Sequence, residues 1–176
     1  MRIISGTYRG KQIHPPKNFK ARPTTDFAKE SLFNVLIHRL DFTELDILDL
    51  FSGTGSITYE FASRGVRSVV AVELVPVHFK FIQQTCNELE MDQVTVIKAD
   101  AFRYLKNPYQ SFDNVFADPP YDHPLLAELP DLVLSTNLLN AEGLFILEHP
   151  ASYTFVAHPR FSQHRKYGGV NFTIFS

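Results

Sequence analysis

Asp118, Pro119, Pro120 and Tyr121 leave the apolar run at residues 114–117, and their types suggest a particular chemistry. A carboxylate is an acceptor only, so Asp118 can take a hydrogen bond from an exocyclic N–H. Each proline fixes its own φ and removes a backbone donor, so carbonyls rather than N–H groups can face an amine. Tyr121 offers a ring face on which a base can stack. Upstream, Gly53-Thr54-Gly55 follows the apolar stretch that carries Asp49. Glycine lets the backbone turn tightly and lets a ligand approach it. Together the two segments read as a methyl-donor site and an amine-acceptor site.

The acids in the donor segment select among nucleotide-like ligands. Glu73 lies 18 residues beyond Gly55, where an acid can take the hydroxyls of a ribose. Asp100 stands where a third strand should end and can accept from an adenine amino group. No Gly-x-x-x-x-Gly-Lys-Ser/Thr is present, which excludes a P-loop, and the third glycine of a dinucleotide fingerprint is replaced by Thr58. Asp49 would repel a pyrophosphate but suits a cation. S-adenosylmethionine carries a sulfonium and an α-amino group and no phosphate, so the pattern selects it over NAD.

These segments need a scaffold, and the hydrophobic pattern supplies one. Short apolar runs at 46–51, 68–73, 94–98, 114–117 and 144–149 read as buried strands, with a further strand at 171–175. Between them, helices fit 57–64 (stopped by Gly65), a segment opened by Pro76, and 125–134. A helix with Thr24 or Thr25 as its N-cap fits Ala28, Leu32, Val35, Leu36 and Leu40 on one face. Near-continuously apolar strands separated by helices predict a doubly wound α/β sheet, mostly parallel and covered on both faces. Ligands of such sheets bind outside the carboxyl ends of the strands, where the chemistry-bearing residues fall.

Composition bounds the rest. A chain of 176 residues with 16 Phe and 44% hydrophobic content suits one globular domain. It carries 17 basic and 19 acidic side chains. Six of the basic ones (Arg2, Arg9, Lys11, Lys17, Lys20 and Arg22) stand in the first 25 residues with no acid among them. A basic arm on an acidic body is the asymmetry of a surface that meets phosphates. Residues 1–25 therefore read as a basic N-terminal extension with a β-hairpin around Gly6-Thr7-Tyr8-Arg9-Gly10, and residues 26–176 as the main domain. No run approaches a membrane span, no signal peptide is visible, and the single Cys86 reads as a buried helix position. A cytoplasmic monomer that uses neither metal nor membrane is expected.

The residues quoted above resemble the class I S-adenosylmethionine-dependent methyltransferases that carry an (Asn/Asp)-Pro-Pro-(Tyr/Phe) motif. Within that class the chain is similar to the RsmD family of bacterial 16S rRNA guanine-N2 methyltransferases. The similarity includes the opening Met1-Arg2-Ile3-Ile4-Ser5-Gly6, Arg22-Pro23-Thr24-Thr25-Asp26, the segment from Leu48 to Gly55, and Lys166-Tyr167-Gly168. The resemblance implies a seven-stranded, Rossmann-like sheet whose last strand is antiparallel. It also implies methyl transfer from S-adenosylmethionine to the N2 amine of a flipped-out guanine in small-subunit ribosomal RNA or the assembling subunit.

Carried onto this chain, Asp49, Phe51, Gly53, Gly55, Glu73 and Asp100 would bind the donor, with Ala101 near its adenine. Asp118, Pro119 and Tyr121 would hold the base, and Arg2, Arg9, Lys11, Arg22, Arg165 and Lys166 would contact RNA. The family's small or aliphatic residues after the glycine turn are here Ser56-Ile57-Thr58-Tyr59. Asp-Pro-Pro-Tyr permits adenine N6 as well as guanine, a glutamine methyltransferase would more typically show Asn at position 118, and a catalytically inactive RNA-binding module is the remaining alternative.

Overall fold

The computed structural model describes residues 1–16, 19 and 25–176. Its centre is a seven-stranded sheet of order β3-β2-β1-β4-β5-β7-β6. The strands are β1 (Asp46–Leu50), β2 (Ser68–Glu73), β3 (Val94–Lys98), β4 (Phe112–Ala117), β5 (Leu139–His149), β6 (Phe161–Tyr167) and β7 (Val170–Phe175). β1 to β5 pair in parallel, and β7 runs antiparallel to both β5 and β6. The doubly wound reading and its antiparallel end both hold. The order reverses between β1 and β4, and the crevice beyond their carboxyl ends is where such sheets bind ligands.

Each face of the sheet buries its own core. Ile47, Phe116, Ile146 and Phe172 point to the face covered by α1 (Asp26–Leu36) and α2 (Ser56–Ser63), where they meet Leu32, Phe33 and Phe61. Leu48, Val115, Phe145 and Leu147 point the other way, toward α4 (Ala101–Lys106) and α5 (Leu129–Leu134). This alternation is the period of two that a strand imposes. α3 (Pro76–Glu88) opens with Pro76 and buries Ile82 and Cys86. Burial pushes the Cys86 thiol up to about 12, so it stays an inert, protonated packing group.

Some boundaries differ from the sequence reading. α1 has Thr25 as its N-cap, the hydroxyl accepting from Ala28 N–H at 3.2 Å. It buries Lys29 beside Ala28 and Leu32, whereas Leu40 lies beyond its end. α4 is short, and its six residues carry too little periodicity to stand out in the sequence. Residues 125–134 begin as a 3₁₀ turn before α5, and β5 starts five residues earlier than the apolar run suggests.

α2 is buried on every side, which no amphipathic pattern announces. Its outer surface is covered by the first 13 residues. Those residues fold back through one antiparallel bridge, Arg2 to Gln12, and backbone bonds between Ile3 and Lys11 and between Gly10 and Ile3. The expected pair of short strands is therefore a single bridge closed by a turn. The arm is bolted to the C-terminal half of α2. Thr7 N–H donates to the Ser63 carbonyl at 2.7 Å, and the Glu60 carboxylate accepts from Ile4 and Ser5 N–H. Glu60 also pairs with Lys29 (3.3 Å) and Arg64, and Lys29 donates to the Arg2 carbonyl and the Ser56 hydroxyl. Lys29 and Glu60 are almost wholly buried, so this network ties arm, α1 and α2 into one body.

Candidate functional site

The glycine turn begins where β1 ends. Phe51 takes φ +60°, Gly53 +56° and Gly55 +79°, and Gly55 N–H closes the turn on the Ser52 carbonyl at 2.7 Å. A left-handed φ is routine for glycine and costs other residues about 1–2 kcal/mol. At Gly55 a Cβ would also meet the Tyr59 ring at 2.5 Å, so geometry and space both demand glycine there. Glu73, the last residue of β2, fixes the turn from the side. Its carboxylate accepts Gly53 N–H and Val75 N–H, each at 2.7 Å.

Asp49 sits under this turn. Its side chain is buried, and Thr58 donates its hydroxyl to it at 2.5 Å. Loss of solvation pushes the Asp49 carboxyl up to about 7, against the pull of hydrogen bonds from Thr58 and Ser52. Asp100 caps α4, accepting Arg103 N–H at 2.8 Å, and Ala101 behind it is buried. Phe51, Phe102 and His123 form an aromatic wall, with the Phe102 and His123 rings stacked at 4.5 Å. Leu74 and Val75 stand exposed just past Glu73.

The segment from Asp118 to Tyr121 lies next door. Asp118 N–H reaches the Leu50 carbonyl at 3.4 Å, which joins the end of β4 to the end of β1. Asp49 pairs in register with Phe116, so Asp118, two residues on, shares its face of the sheet. Desolvation raises the Asp118 carboxyl well above the usual range, and the nearby Glu148 and Asp49 carboxylates add to the shift. Tyr121 is exposed, and its hydroxyl donates to Glu148 at 3.0 Å. Pro119 is buried and Pro120 exposed.

Glu148 carries only a faint signal in the sequence. The visible signal was an acid at the end of the fifth apolar run, but nothing in one dimension says that β5 lies beside β4. Glu60 and Lys29 are silent in the sequence for the same reason, and Thr58 shows there only as the absent third glycine.

The basic residues do not gather in one place. Arg2 lies by the start of α1, 3.6 Å from Asp26. Arg9 and Lys11 line a groove of about 430 Å³ with Glu88 and Glu90, at the far end of α3 from the glycine turn. Arg165 lines a second groove, about 520 Å³, between α1 and β6 with His38 and Arg39, and Lys166 follows it on β6. Arg22 lies outside the described residues. Among the described residues no helix is long and apolar enough to cross a membrane.

A 3-2-1-4-5 parallel sheet with an antiparallel seventh strand, a glycine turn after β1 and acids at the next strand ends defines the Rossmann-like methyltransferase fold. A ribosomal protein L11 methylase from Lactobacillus delbrueckii subsp. bulgaricus shares that fold at 17% identity, TM-score 0.68, over 87% of this chain and 80% of that one.

The chain belongs to the family described as Conserved hypothetical protein 95, whose model matches residues 1–176. It is 32% identical to the Ribosomal RNA small subunit methyltransferase D of Buchnera aphidicola subsp. Baizongia pistaciae over 84% of this chain and 75% of that protein. A solved hypothetical protein from Thermus thermophilus superposes with TM-score 0.85 at 28% identity, covering 100% of this chain and 99% of the other.

Proposed function

We propose that the protein transfers a methyl group from S-adenosylmethionine to the N2 amine of a guanine in small-subunit ribosomal RNA. The observation that carries this is the placement of Asp118 beside the glycine turn, at the switch point between β1 and β4. The name of the Buchnera relative supports the substrate class.

The residues of the turn suit a cationic nucleoside without phosphate. Asp49 offers a carboxylate to an ammonium group, Glu73 lies at the ribose position, and the exposed Leu74 and Val75 border the place of a flat base. When bound, the donor supplies an electrophilic methyl carbon on its sulfonium. Asp118 and the Pro119 carbonyl accept from the target amine and turn its lone pair toward that carbon, while Tyr121 supports the ring. A conjugated amine is a poor nucleophile, so the gain lies in orientation, which can contribute on the order of 7–11 kcal/mol. Arg2, Arg165 and Lys166 would contact backbone phosphates, as would Arg9 and Lys11 on a separate patch of the arm, and Arg22 is assigned the same role from the sequence alone.

The deciding experiment incubates the protein with labelled S-adenosylmethionine and undermethylated small subunits, followed by nucleoside analysis. Label in N2-methylguanosine is the expected result. Label in N6-methyladenosine would keep the chemistry and overturn the base.

A further inference from the structure

β6 is the edge strand of the sheet, and both it and β5 run antiparallel to β7. β6 is therefore parallel to β5, and its last residue, Tyr167, emerges on the edge where Asp118 and the glycine turn stand. The register agrees: His149 pairs with Asn171, and Asn171 with Lys166. Two strand spacings of about 4.8 Å put Tyr167 roughly 10 Å from the end of β5. The faces match as well. Tyr167 packs against the core that holds Phe116 and Phe172 on the α1 side, and Asp118 shares the face of Phe116.

From Tyr167 the groove of about 520 Å³ between α1 and β6 runs down to Arg39, whose guanidinium donates to the Ser162 hydroxyl at 3.3 Å. From Ser162 to Tyr167 the strand covers roughly 17 Å at about 3.3 Å per residue. The lining has one consistent chemistry. Asn34 comes from α1, His38 from the turn after it, and Gln163 and Arg165 from the facing side of β6. No carboxylate lines the groove, and among the described residues neither Arg39 nor Arg165 has an ion-pair partner. Arg165 donates instead to the Gln163 amide oxygen at 3.2 Å, and the Gln163 Nε2 beside it is buried with no acceptor. At the mouth, Phe27 is 66% exposed and meets the Tyr167 ring edge-on, with centroids 6.1 Å apart.

Cations and donors without an acid among them select an anion, and a phosphate brings several acceptor oxygens at once. Aromatic rings at the mouth select a flat partner, since every base has a face to stack. A nucleic-acid strand supplies both in alternation, whereas an acidic peptide brings the charge without a base at every step. Stacking needs bases outside a helix, and the neighbours of a flipped-out target can be splayed in the same way. We propose that this groove binds a single-stranded segment of the ribosomal RNA next to the target base. One base stacks at Tyr167 and Phe27, and the phosphates that follow run between Arg39 and Arg165. The site, which rests on the ribosomal RNA reading above, turns separate basic residues into a path with a direction, from the strand ends down β6.

The test places a photo-crosslinker in the groove. Cys86 is the chain's one cysteine and is buried and protonated, so His38→Cys presents a single accessible thiol for a benzophenone maleimide. The labelled protein is irradiated with undermethylated small subunits and S-adenosylhomocysteine, and the adduct is digested with ribonuclease or with protease. An adduct to ribosomal RNA is the expected result. An adduct to a ribosomal protein alone, or none from a variant that still binds S-adenosylhomocysteine, overturns RNA as the occupant. If His38→Cys does not fold, Asn34→Cys carries the label on the same groove wall.

Arg39→Ala combined with Tyr167→Leu gives a second readout, with the apolar bulk kept and the ring face lost. KM for small subunits should rise by about tenfold or more, the scale of one lost stack. The single-turnover rate at saturating subunits should stay within about twofold, because contacts away from the reacting atoms bind ground state and transition state alike. An unchanged KM overturns the path along β6. Nucleoside analysis of the same reactions keeps the two questions apart. A wild-type protein that yields no N2-methylguanosine overturns the guanine reading, whereas the identity of the adduct decides the groove.

Discussion

Thr58 donates its hydroxyl to the Asp49 carboxylate at 2.5 Å, with both side chains almost completely buried. Position 58 is where a dinucleotide fingerprint would carry its third glycine. Here a hydroxyl on the first turns of α2 reaches back under the glycine turn and holds an acid in place. The consequence is electrostatic. An acid kept from water at the proposed donor site has its ionisation poised near neutrality, at about 7.

That poise gives two pH dependences of opposite sign. The ordinary aspartate value is about 3.9, so the folded state holds this proton more tightly than the unfolded state. The stability it contributes is complete below about pH 4 and is lost as pH rises through about 7. In Asp49→Asn the melting temperature should fall less between pH 5 and 8 than in the wild type. Affinity for S-adenosylhomocysteine, whose ammonium favours the ionised carboxylate, should rise over the same interval and lose that rise in the variant. Thermal melts and titration calorimetry across pH check both, and an unchanged slope in Asp49→Asn would refute the assignment.

Asp118→Ala should lower methyl transfer by at least about 100-fold, the scale of losing one charge-oriented contact in a transition state. Donor binding should stay close to wild type, because the glycine turn and Glu73 hold together without Asp118. Single-turnover rates beside equilibrium binding of S-adenosylhomocysteine separate the two effects. A variant with near-native turnover would remove the amine-orienting role.

Gly55 and Gly65 offer a matched pair. Both sit near φ +80°, but a Cβ at Gly55 meets the Tyr59 ring, whereas at Gly65 nothing lies within 4 Å. Gly65→Ala should cost about 1 kcal/mol of strain alone. Gly55→Ala should cost on the order of 3 kcal/mol, since the buried Tyr59 must move as well, and should weaken donor binding. Denaturant melts of the two variants measure the difference, and equal losses would mean that the Tyr59 contact is not limiting.

Glu60→Ala should destabilise the protein by about 3–5 kcal/mol, the cost of leaving a buried charge without its partner. The stranded group is Lys29, whose ammonium burial already disfavours while Glu60 supports it. The amides of Ile4 and Ser5 lose their acceptor in the same variant. Their hydrogen exchange should accelerate more than that of the central strands, and uniform acceleration would show that the arm is not held by Glu60.

Replacing Arg9 and Lys11 together by Ala should weaken RNA binding and reduce the slope of log affinity against log salt by up to about 2, one released counterion per lost phosphate contact. Because Glu88 and Glu90 share their groove, the arm could instead be held by those acids. Binding titrations between low and moderate salt decide, and an unchanged slope would assign the pair to the fold rather than to RNA.

The sequence by itself determined where chemistry could sit along the chain. Apolar runs of strand length marked β1 to β5, and Gly53, Gly55, Glu73, Asp100 and Asp118 fell at or just past their ends, because strand period and turn chemistry are local properties. Which of these ends are neighbours is not local. Only the pairing of β4 with β1 on one side and β5 on the other brings Asp118 between Asp49 and Glu148. Likewise, the count of basic residues near the N-terminus was legible. That the fold separates Arg9 and Lys11 from the strand ends follows from a chain reversal at Gly6, where a Cβ would strike the Ser63 carbonyl. Lys29, Glu60 and Thr58 read as ordinary helix residues until tertiary packing buries them. A charge or hydroxyl removed from water must find its partner, and the partner is chosen by the fold.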